Sequence, residues 1–387
     1  MEPIISASAR RPDQPFSSGA AVGKQRIFDK CSAATAVAFA LSVTHAHAQS
    51  SVELGGLISA GLNYATNVGG SASTYMSPAG VLRPNTFFLR GTEDLGDGLK
   101  SVYLLSAMFN IANGANAGGN GSLFSRESYV GLSNQWGTLT AGSHRDFMFD
   151  LSIDGYSGAY YAGIVGAHQG PFAGFGVPYG GNGDMDFDRV NGEALNNSVK
   201  FTSANFNGLT FGAMYGFGGL AGRFGASSSS SFGANYSTAL AGIGAAYTMA
   251  KYPQLNNGSD GIRNIGIGAN IRPAPWKLAV LATWTRNTAT GGQIAAYDAT
   301  VGFDITPAIG TSLTYTYMDG NAVLQDKHAQ SLAATVNYNF SRRTTVYAEV
   351  VAQRAAGPGA RAQINGTPGA SSSGNQVVTS LGIQTVF

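Results

Sequence analysis

Residues 331–340 read Ser-Leu-Ala-Ala-Thr-Val-Asn-Tyr-Asn-Phe, and apolar residues occupy every second position. Leu332, Val336 and Tyr338 therefore lie on one side of an extended chain, while small or polar residues lie on the other. A period of two is typical of a β-strand with one apolar face. That face packs into the core of a soluble sandwich, or contacts lipid in a membrane barrel.

The same alternation recurs from residue 52 onward and gives sixteen candidate strands. The connections between them alternate in length. Short ones include 134–136, 205–208, 272–275 and 340–343, and long ones include 66–84, 218–230 and 355–375. Short turns on one side and long loops on the other are typical of outer-membrane barrels, whereas a soluble sandwich has no reason to keep this asymmetry. We therefore predict an all-β fold, a 16-stranded antiparallel transmembrane β-barrel.

The composition agrees with a chain whose outer surface contacts lipid. Of the 387 residues, 54 are Gly, 44% are hydrophobic and 11% are charged. Typical soluble domains carry about 25% charged residues. A barrel in lipid needs few charges on its outer face. The formal net charge of +2 does not indicate a nucleic-acid partner, and we expect none.

Residues 1–48 have the pattern of an N-terminal extension followed by a signal peptide. A basic stretch ending at Lys30 precedes a short apolar run from Cys31, and Ala46-His47-Ala48 supplies a cleavage site of small residues. We expect removal after Ala48, which leaves residues 49–387 as a single barrel domain. Removal takes five of the 23 bases and three of the 21 acids, leaving 18 of each, and it also removes the only Cys.

Several fragments of the remaining chain occur in a characteristic order. They are Val52-Glu53-Leu54, residues 88–96 (Phe-Leu-Arg-Gly-Thr-Glu-Asp-Leu-Gly), residues 126–132 (Arg-Glu-Ser-Tyr-Val-Gly-Leu), Gly137-Thr138-Leu139 and residues 196–201 (Asn-Asn-Ser-Val-Lys-Phe). With these fragments, the chain resembles the general bacterial porins of Gram-negative outer membranes, particularly the trimeric β-proteobacterial type. The resemblance covers essentially all of residues 49–387.

The resemblance implies a homotrimeric, water-filled channel through which small hydrophilic solutes and ions diffuse passively, without a cofactor and without enzyme activity. Outer-membrane lipid and lipopolysaccharide are the implied surroundings. The terminal Phe387 is the aromatic residue that the outer-membrane assembly machinery is understood to read in such proteins. A substrate-specific porin is the nearest alternative, and an outer-membrane enzyme or an adhesin built on a barrel is a more distant one.

The longest connection, about residues 146–195, follows the fifth predicted strand, where such porins fold their third loop into the lumen as a constriction. It carries seven acids, a single base and aromatic residues that favour packing against a wall, among them Tyr156, Tyr160, Tyr161, Phe172, Phe175 and Tyr179. The alternative is an ordinary acidic surface loop. The acids are Asp146, Asp150, Asp154, Asp184, Asp186, Asp188 and Glu193, and the base is Arg189.

Basic residues are expected on the wall that faces this loop. Arg90 and Lys200 alternate with apolar neighbours, and Arg126 has the same phase as Ser128, so all three are expected inside. A charge on the lipid side costs roughly 2–4 kcal/mol near the midplane. Facing charges would create a transverse field across a narrow eyelet. Pairing of each Arg with a neighbouring carboxylate is the simpler alternative.

Two further expectations concern the charges of the pore. Such porins usually close the fifth strand with Gly-Arg, whereas this chain reads Gly-Ser-His-Arg at residues 142–145, and we assign Arg145 to the basic wall together with Arg189. The connection has a net charge of about minus six, which favours a mild cation preference.

No metal site is expected. Residues 184–188 (Asp-Met-Asp-Phe-Asp) imitate the start of a calcium loop, but Arg189 takes the position of the required Gly and Leu195 that of the required Glu. His144, His168 and His328 are far apart, which argues against zinc.

Overall fold

The computed structural model describes residues 50–117, 122–151, 155–163, 169–176 and 195–387. The predicted leader, residues 1–48, lies outside the described residues, so its removal stays a prediction. Two five-residue helices and three 3₁₀ turns accompany the strands: α1 is Phe147–Leu151, α2 is Gly158–Ala162, and the turns are Ala173–Phe175, Asn256–Gly258 and Ala322–Leu324. Among the described residues, no helix has both the length and the apolar character needed to cross a membrane.

The described residues form seventeen antiparallel strand segments in one sheet. In chain order they are β1 Ser51–Val68, β2 Ser71–Met76, β3 Thr86–Gly96, β4 Leu99–Met108, β5 Glu127–Asn134, β6 Gly137–His144, β7 Leu195–Ser203, β8 Leu209–Gly216, β9 Ser229–Ser237, β10 Ala241–Lys251, β11 Gly261–Ile271, β12 Trp276–Asn287, β13 Gln293–Thr306, β14 Ile309–Gly320, β15 His328–Asn339, β16 Thr344–Ala356 and β17 Asn375–Val386.

From β3 onward each strand pairs with the next, and β1 pairs with β17, so the sheet closes. β2 pairs with the second half of β1 and β3 with the first half, so these two segments share one position in the wall. The seventeen segments therefore fill sixteen positions, and the prediction of a 16-stranded antiparallel barrel is confirmed.

One expectation about the connections is wrong. The predicted long loop 66–84 is shorter, because β1 continues to Val68 and the chain turns through Gly69 and Gly70 into β2. Both glycines have positive φ, at 65° and 113°, which a residue with a Cβ adopts only with strain. The rest of the predicted loop, residues 77–85, connects β2 to β3.

The two faces of the wall differ as the alternation predicts. Apolar residues on one face are widely exposed, such as Leu313 at 49% and Leu381 at 61%, while Thr314 and Ser380 beside them are almost fully buried. A soluble protein rarely exposes apolar area of this extent. We call the exposed apolar face the outer face and the polar face the inner face.

Candidate functional site

The connection between β6 and β7 packs against the inner face. We call its described parts, residues 145–151, 155–163 and 169–176, the docked segment. It exchanges hydrogen bonds with strands from β9 to β16. They run from Phe147 N to Ser231 Oγ (3.0 Å), Gly158 N to Asp298 Oδ2 (2.8 Å), Asn270 Nδ2 to Gly155 O (3.1 Å), Asn287 Nδ2 to Phe175 O (2.9 Å) and Gln353 Nε2 to Gln169 O (2.7 Å).

Glycines of the inner face make room for the first turns of the docked segment. A Cβ added at Gly233 would lie 2.7 Å from the Cβ of Phe147, and one at Gly268 would lie 2.6 Å from the Cβ of Tyr156. Such distances are too short for real atoms, so only Gly fits at these positions. The covered side chains are nearly inaccessible: Phe147 is 6% exposed and Tyr156 is 1% exposed. The glycines that lie under the docked segment in this way are Gly212, Gly233, Gly242, Gly244, Gly266 and Gly268.

Lys200 joins the wall to the docked segment. Its register partner on β6 is Thr140, and it lies on the inner face because the neighbouring pair Leu139–Phe201 faces outward. The Lys200 Nζ atom is 2.7 Å from Asp150 Oδ2 and also donates to the carbonyl oxygen of Arg145 at 2.9 Å. The Lys200 side chain is 11% exposed and that of Asp150 is 38% exposed, so water screens this pair in part.

Two arginines, Arg126 on the wall side and Arg145 within the docked segment, lie over the ring of Phe149. The guanidinium carbon of Arg145 is 3.8 Å from the centroid of the Phe149 ring, and that of Arg126 is 5.6 Å away. Arg145 is 3% exposed. Arg126 was expected on the inner face because it has the same phase as Ser128. In the structure Ser128 shares the outer face with the exposed Val130, and β5 begins only after Arg126, so strand alternation does not determine which way Arg126 points.

Arg90 lies on the inner face opposite its register partner Glu53, with 2.7 Å between Arg90 Nη2 and Glu53 Oε2. Both side chains are more than half exposed, so the pair contributes little to stability. A recess of about 390 Å³ adjoins this pair and is lined also by Arg126, Glu127 and Tyr129.

Asp146, one of the acids predicted at the constriction, does not face open solvent. It is 5% exposed, and its Oδ1 accepts a hydrogen bond from the Phe149 N–H at 2.9 Å, as a helix-capping carboxylate does. Burial is the main cause that raises the pKa of the Asp146 carboxyl above its ordinary value.

Asp154, Asp184, Asp186 and Arg189 lie outside the described residues, so their roles remain predictions.

A buried polar row was missed by the sequence analysis. Glu349 on β16 lies between its register partners Thr335 on β15 and Ser380 on β17, and Asn63 on β1 continues the row. Glu349 is 3% exposed and forms no ion pair among the described residues. The only signal in the sequence was that these residues occupy inner positions, which many solvated residues share.

No group of His, Cys, Asp and Glu among the described residues is arranged to hold a metal ion.

Phe387, the predicted assembly signal, continues the closure of the barrel, since its backbone N–H and C=O both bond to Gly56, each at 3.1 Å. Its recognition by assembly machinery remains a prediction.

Comparisons with known proteins agree with the resemblance found in the sequence. A sequence model of the Gram-negative porins matches residues 33–357. Outer membrane porin protein 32 of Delftia acidovorans is 28% identical over 312 residues, which cover 78% of this chain and 83% of that protein. An outer membrane porin protein of Bordetella pertussis is 33% identical over 187 residues, which cover 44% of each chain.

Solved structures show the same fold. The anion-selective porin from Comamonas acidovorans superposes with a TM-score of 0.71 at 22% identity, covering 88% of this chain and all of that one. The trimer form of OmpT from Vibrio cholerae superposes with a TM-score of 0.61 at 11% identity, covering 87% of this chain and 99% of that one. The predicted resemblance is confirmed.

We predict that Gly233→Ala weakens the docked segment. The added methyl group meets the Cβ of Phe147, which cannot move without shifting the backbone of α1, and overpacking of this kind costs about 1–3 kcal/mol. The thermal unfolding midpoint in detergent should fall, and protease should cut the docked segment faster. Gly310→Ala on the inner face of β14, where the nearest atom is 3.4 Å away, is the matched control and should change neither quantity. Equal behaviour of the two variants would contradict the glycine argument.

We also predict that Asp146→Asn raises the unfolding midpoint at neutral pH. The amide oxygen can still accept from the Phe149 N–H, while the buried charge is removed. When the pKa of a carboxyl is raised in the folded state, the folded protein loses stability as the pH rises from the unfolded-state pKa of about 3.9 through the folded-state pKa. The unfolding midpoint of the variant should therefore exceed that of the wild type by a growing margin as the pH rises, and the two midpoints should converge near pH 4.

The same change at a paired acid supplies the control for this measurement. Asp150→Asn leaves Lys200 without its carboxylate and should lower the midpoint at neutral pH. A pH-independent difference between wild type and Asp146→Asn would argue against a buried, titrating carboxyl.

Proposed function

The chain belongs to the Gram-negative porin family, and on that premise we propose how its inner wall sets the width and charge of the pore. The protein is an outer-membrane porin, a channel through which small hydrophilic solutes diffuse passively. Its family places it among channels rather than enzymes.

We infer that the docked segment forms the constriction. One observation carries this proposal: the segment bonds to inner-face residues from β9 to β16, and so occupies one side of the lumen. Arg90 on β3 and the recess beside it lie on the other half of the wall. The open passage then runs between these two sides, and its width is set by how closely the segment packs on the glycines.

The charges that permeating ions meet are proposed to come mainly from the acids of residues 146–195 other than Asp146 and Asp150. Asp146 is buried and Asp150 is paired with Lys200, so neither presents a full free charge to the passage. The remaining acids of residues 146–195 outnumber the single base Arg189 and support the proposed mild cation preference. The anion selectivity in the name of the Comamonas acidovorans protein belongs to that protein, which shares 22% identity.

We propose a homotrimer. The outer face of β16, β17 and β1 carries mostly aliphatic and small residues, with Leu62 exposed to 57% and Leu381 to 61%, and among its exposed described residues Tyr64 and Arg354 depart strongly from this. The outer face of β12 to β15 instead carries rings such as Trp284, Tyr297 and Tyr315, which suit the lipid headgroup level. The aliphatic side is therefore the proposed contact between subunits. The trimer form of Vibrio cholerae OmpT shows that this fold can assemble in this way.

Planar-bilayer recording of the purified protein tests the channel and the trimer together. We expect ohmic conductance that rises and closes in groups of three equal steps. Absence of steps would reject an open channel, and isolated single steps at all protein concentrations would reject the trimer. A conductance that saturates on addition of one solute would favour a substrate-specific porin instead.

Reversal potentials in a KCl gradient test the selectivity. We expect a mild cation preference in the wild type, because the connection carries an excess of six negative charges. The variant Asp184→Asn, Asp186→Asn, Asp188→Asn halves that excess and should move the reversal potential toward anions. The control Glu93→Gln, Asp94→Asn, Asp97→Asn makes the same charge change at the exposed end of β3 and the turn that follows it, and should have little effect. Anion preference in the wild type would overturn the proposal.

A further inference from the structure

Four basic residues gather at one end of the outer face. Arg263 on β11 and Arg286 on β12 are register partners. The next pair inward along the two strands, Asn264 and Thr285, is buried on the inner face, and the pair after it, Ile265 and Trp284, returns to the outer face. Arg263 and Arg286 therefore point outward. We call these two residues, with Lys251 at the end of β10 and Arg223 in the loop after β8, the outer basic cluster.

Two arginines directly opposite each other in a sheet repel, and such pairs destabilise it. The ion pairs Glu53–Arg90, Asp150–Lys200 and Asp304–Lys277 lie elsewhere, and no ion pair among the described residues involves the outer basic cluster. Asp260, at the start of the same region, accepts hydrogen bonds from the Thr288 hydroxyl at 2.8 Å and from Asn256 Nδ2 at 3.1 Å, and it forms no ion pair with the cluster. The cluster therefore holds positive charge that no ion pair among the described residues neutralises.

Lys251 and Arg223 are oriented by main-chain oxygens rather than by acids. Lys251 Nζ donates to Gly225 O at 3.0 Å, and Arg223 Nη2 donates to Asn257 O at 2.8 Å. Each of these contacts uses one donor and leaves the charge and the other donors of the side chain available. Lys251 lies opposite Gly261 in the β10–β11 register, two residues before Arg263 on the same face of the sheet. Arg223 is held against the loop 252–260 that joins these two strands.

The cluster lies at the long-loop end of the barrel. The connections there are residues 217–228 and 252–260, whereas the opposite end has the short turns 238–240 and 272–275. Long loops of outer-membrane barrels face the cell exterior. The outer face just below those loops is therefore level with the headgroups of the outer leaflet.

Aromatic rings accompany the bases at this level. Tyr215, Phe217 and Phe224 contact one another with centroids 5.3–6.0 Å apart, and Phe224 is 74% exposed. Trp284 precedes Arg286 on the outer face of the same strand. Exposed rings beside bases suit an amphiphile that has acyl chains and an anionic headgroup, and do not suit a free ion.

We propose that the outer basic cluster binds the phosphate groups of lipopolysaccharide in the outer leaflet. Guanidinium groups bind phosphate through paired, charge-assisted hydrogen bonds, and neighbouring strands place Arg263 and Arg286 about 5 Å apart at their Cβ atoms. The acyl chains lie along the apolar outer face below, at residues such as Ile265 and Ile267. The bound phosphates relieve the repulsion between the two arginines.

The test compares lipopolysaccharide binding by wild type and by Arg263→Gln, Arg286→Gln, in detergent, by native mass spectrometry and by titration with purified lipopolysaccharide. We expect the variant to bind roughly tenfold more weakly or worse, because it loses two charge-assisted contacts. The control Arg342→Gln, Arg343→Gln makes the same charge change in the short turn after β15 and should bind as the wild type does. Single-channel conductance should be unchanged in both variants, which separates this proposal from the channel function.

Further probes identify the ligand chemistry. Lipopolysaccharide from which the lipid A phosphates have been removed should bind the wild type as weakly as it binds the variant. Equal binding of lipopolysaccharide by wild type and variant would overturn the proposal, and so would equally tight binding of inorganic phosphate alone. Should the double variant fold poorly, Arg286→Gln alone, at an exposed position, supplies the same comparison.

Discussion

Pairing between the first and the last strand is the constraint on which the rest of the structure depends. Unpaired backbone N–H and C=O groups in lipid cost several kcal/mol each, so a membrane sheet must have no free edge. Residues Leu57–Ala65 of β1 pair with Val386–Val378 of β17, and Gly56 and Phe387 extend the ladder by exchanging two hydrogen bonds. Closure gives every strand one face toward lipid and one toward the lumen, and this is why a period of two persists along the whole chain.

Closure also limits the volume inside, and the glycine content follows from that limit. A polypeptide segment laid on the inner face competes for space with every side chain that points inward. The wall under α1 and Tyr156 therefore carries glycines, while wall positions beyond it carry Thr, Asn and Gln side chains that hydrogen-bond to the segment. Gly is thus abundant in this chain partly for a local steric reason, which composition alone does not reveal.

The alternation of apolar and polar residues predicted which face of the wall a residue inside a regular strand occupies, and it failed at the ends of strands. It placed Lys200 and Arg90 on the inner face, because both lie within regular ladders. It did not place Arg126, which precedes β5, and it missed β2, whose Ser and Thr residues show little contrast in polarity. The Gly69-Gly70 turn was the available signal for β2.

Burial could not be predicted either, because it depends on which loop lies over which wall position. Asp146 was expected at the water-filled constriction and Glu349 occupies an inner position of β16, yet both are almost fully buried.

Position in the fold likewise explains why basic residues have different partners in different places. In the nearly dry contact of the docked segment, Lys200 needs Asp150 close by, since an unpaired charge there is costly. In the wet lumen, Arg90 and Glu53 attract each other only weakly. At the outer rim, two facing arginines have no acid of their own among the described residues. Such an arrangement is tolerable where the surroundings supply anions, and on a barrel wall the headgroup layer is the place that supplies them.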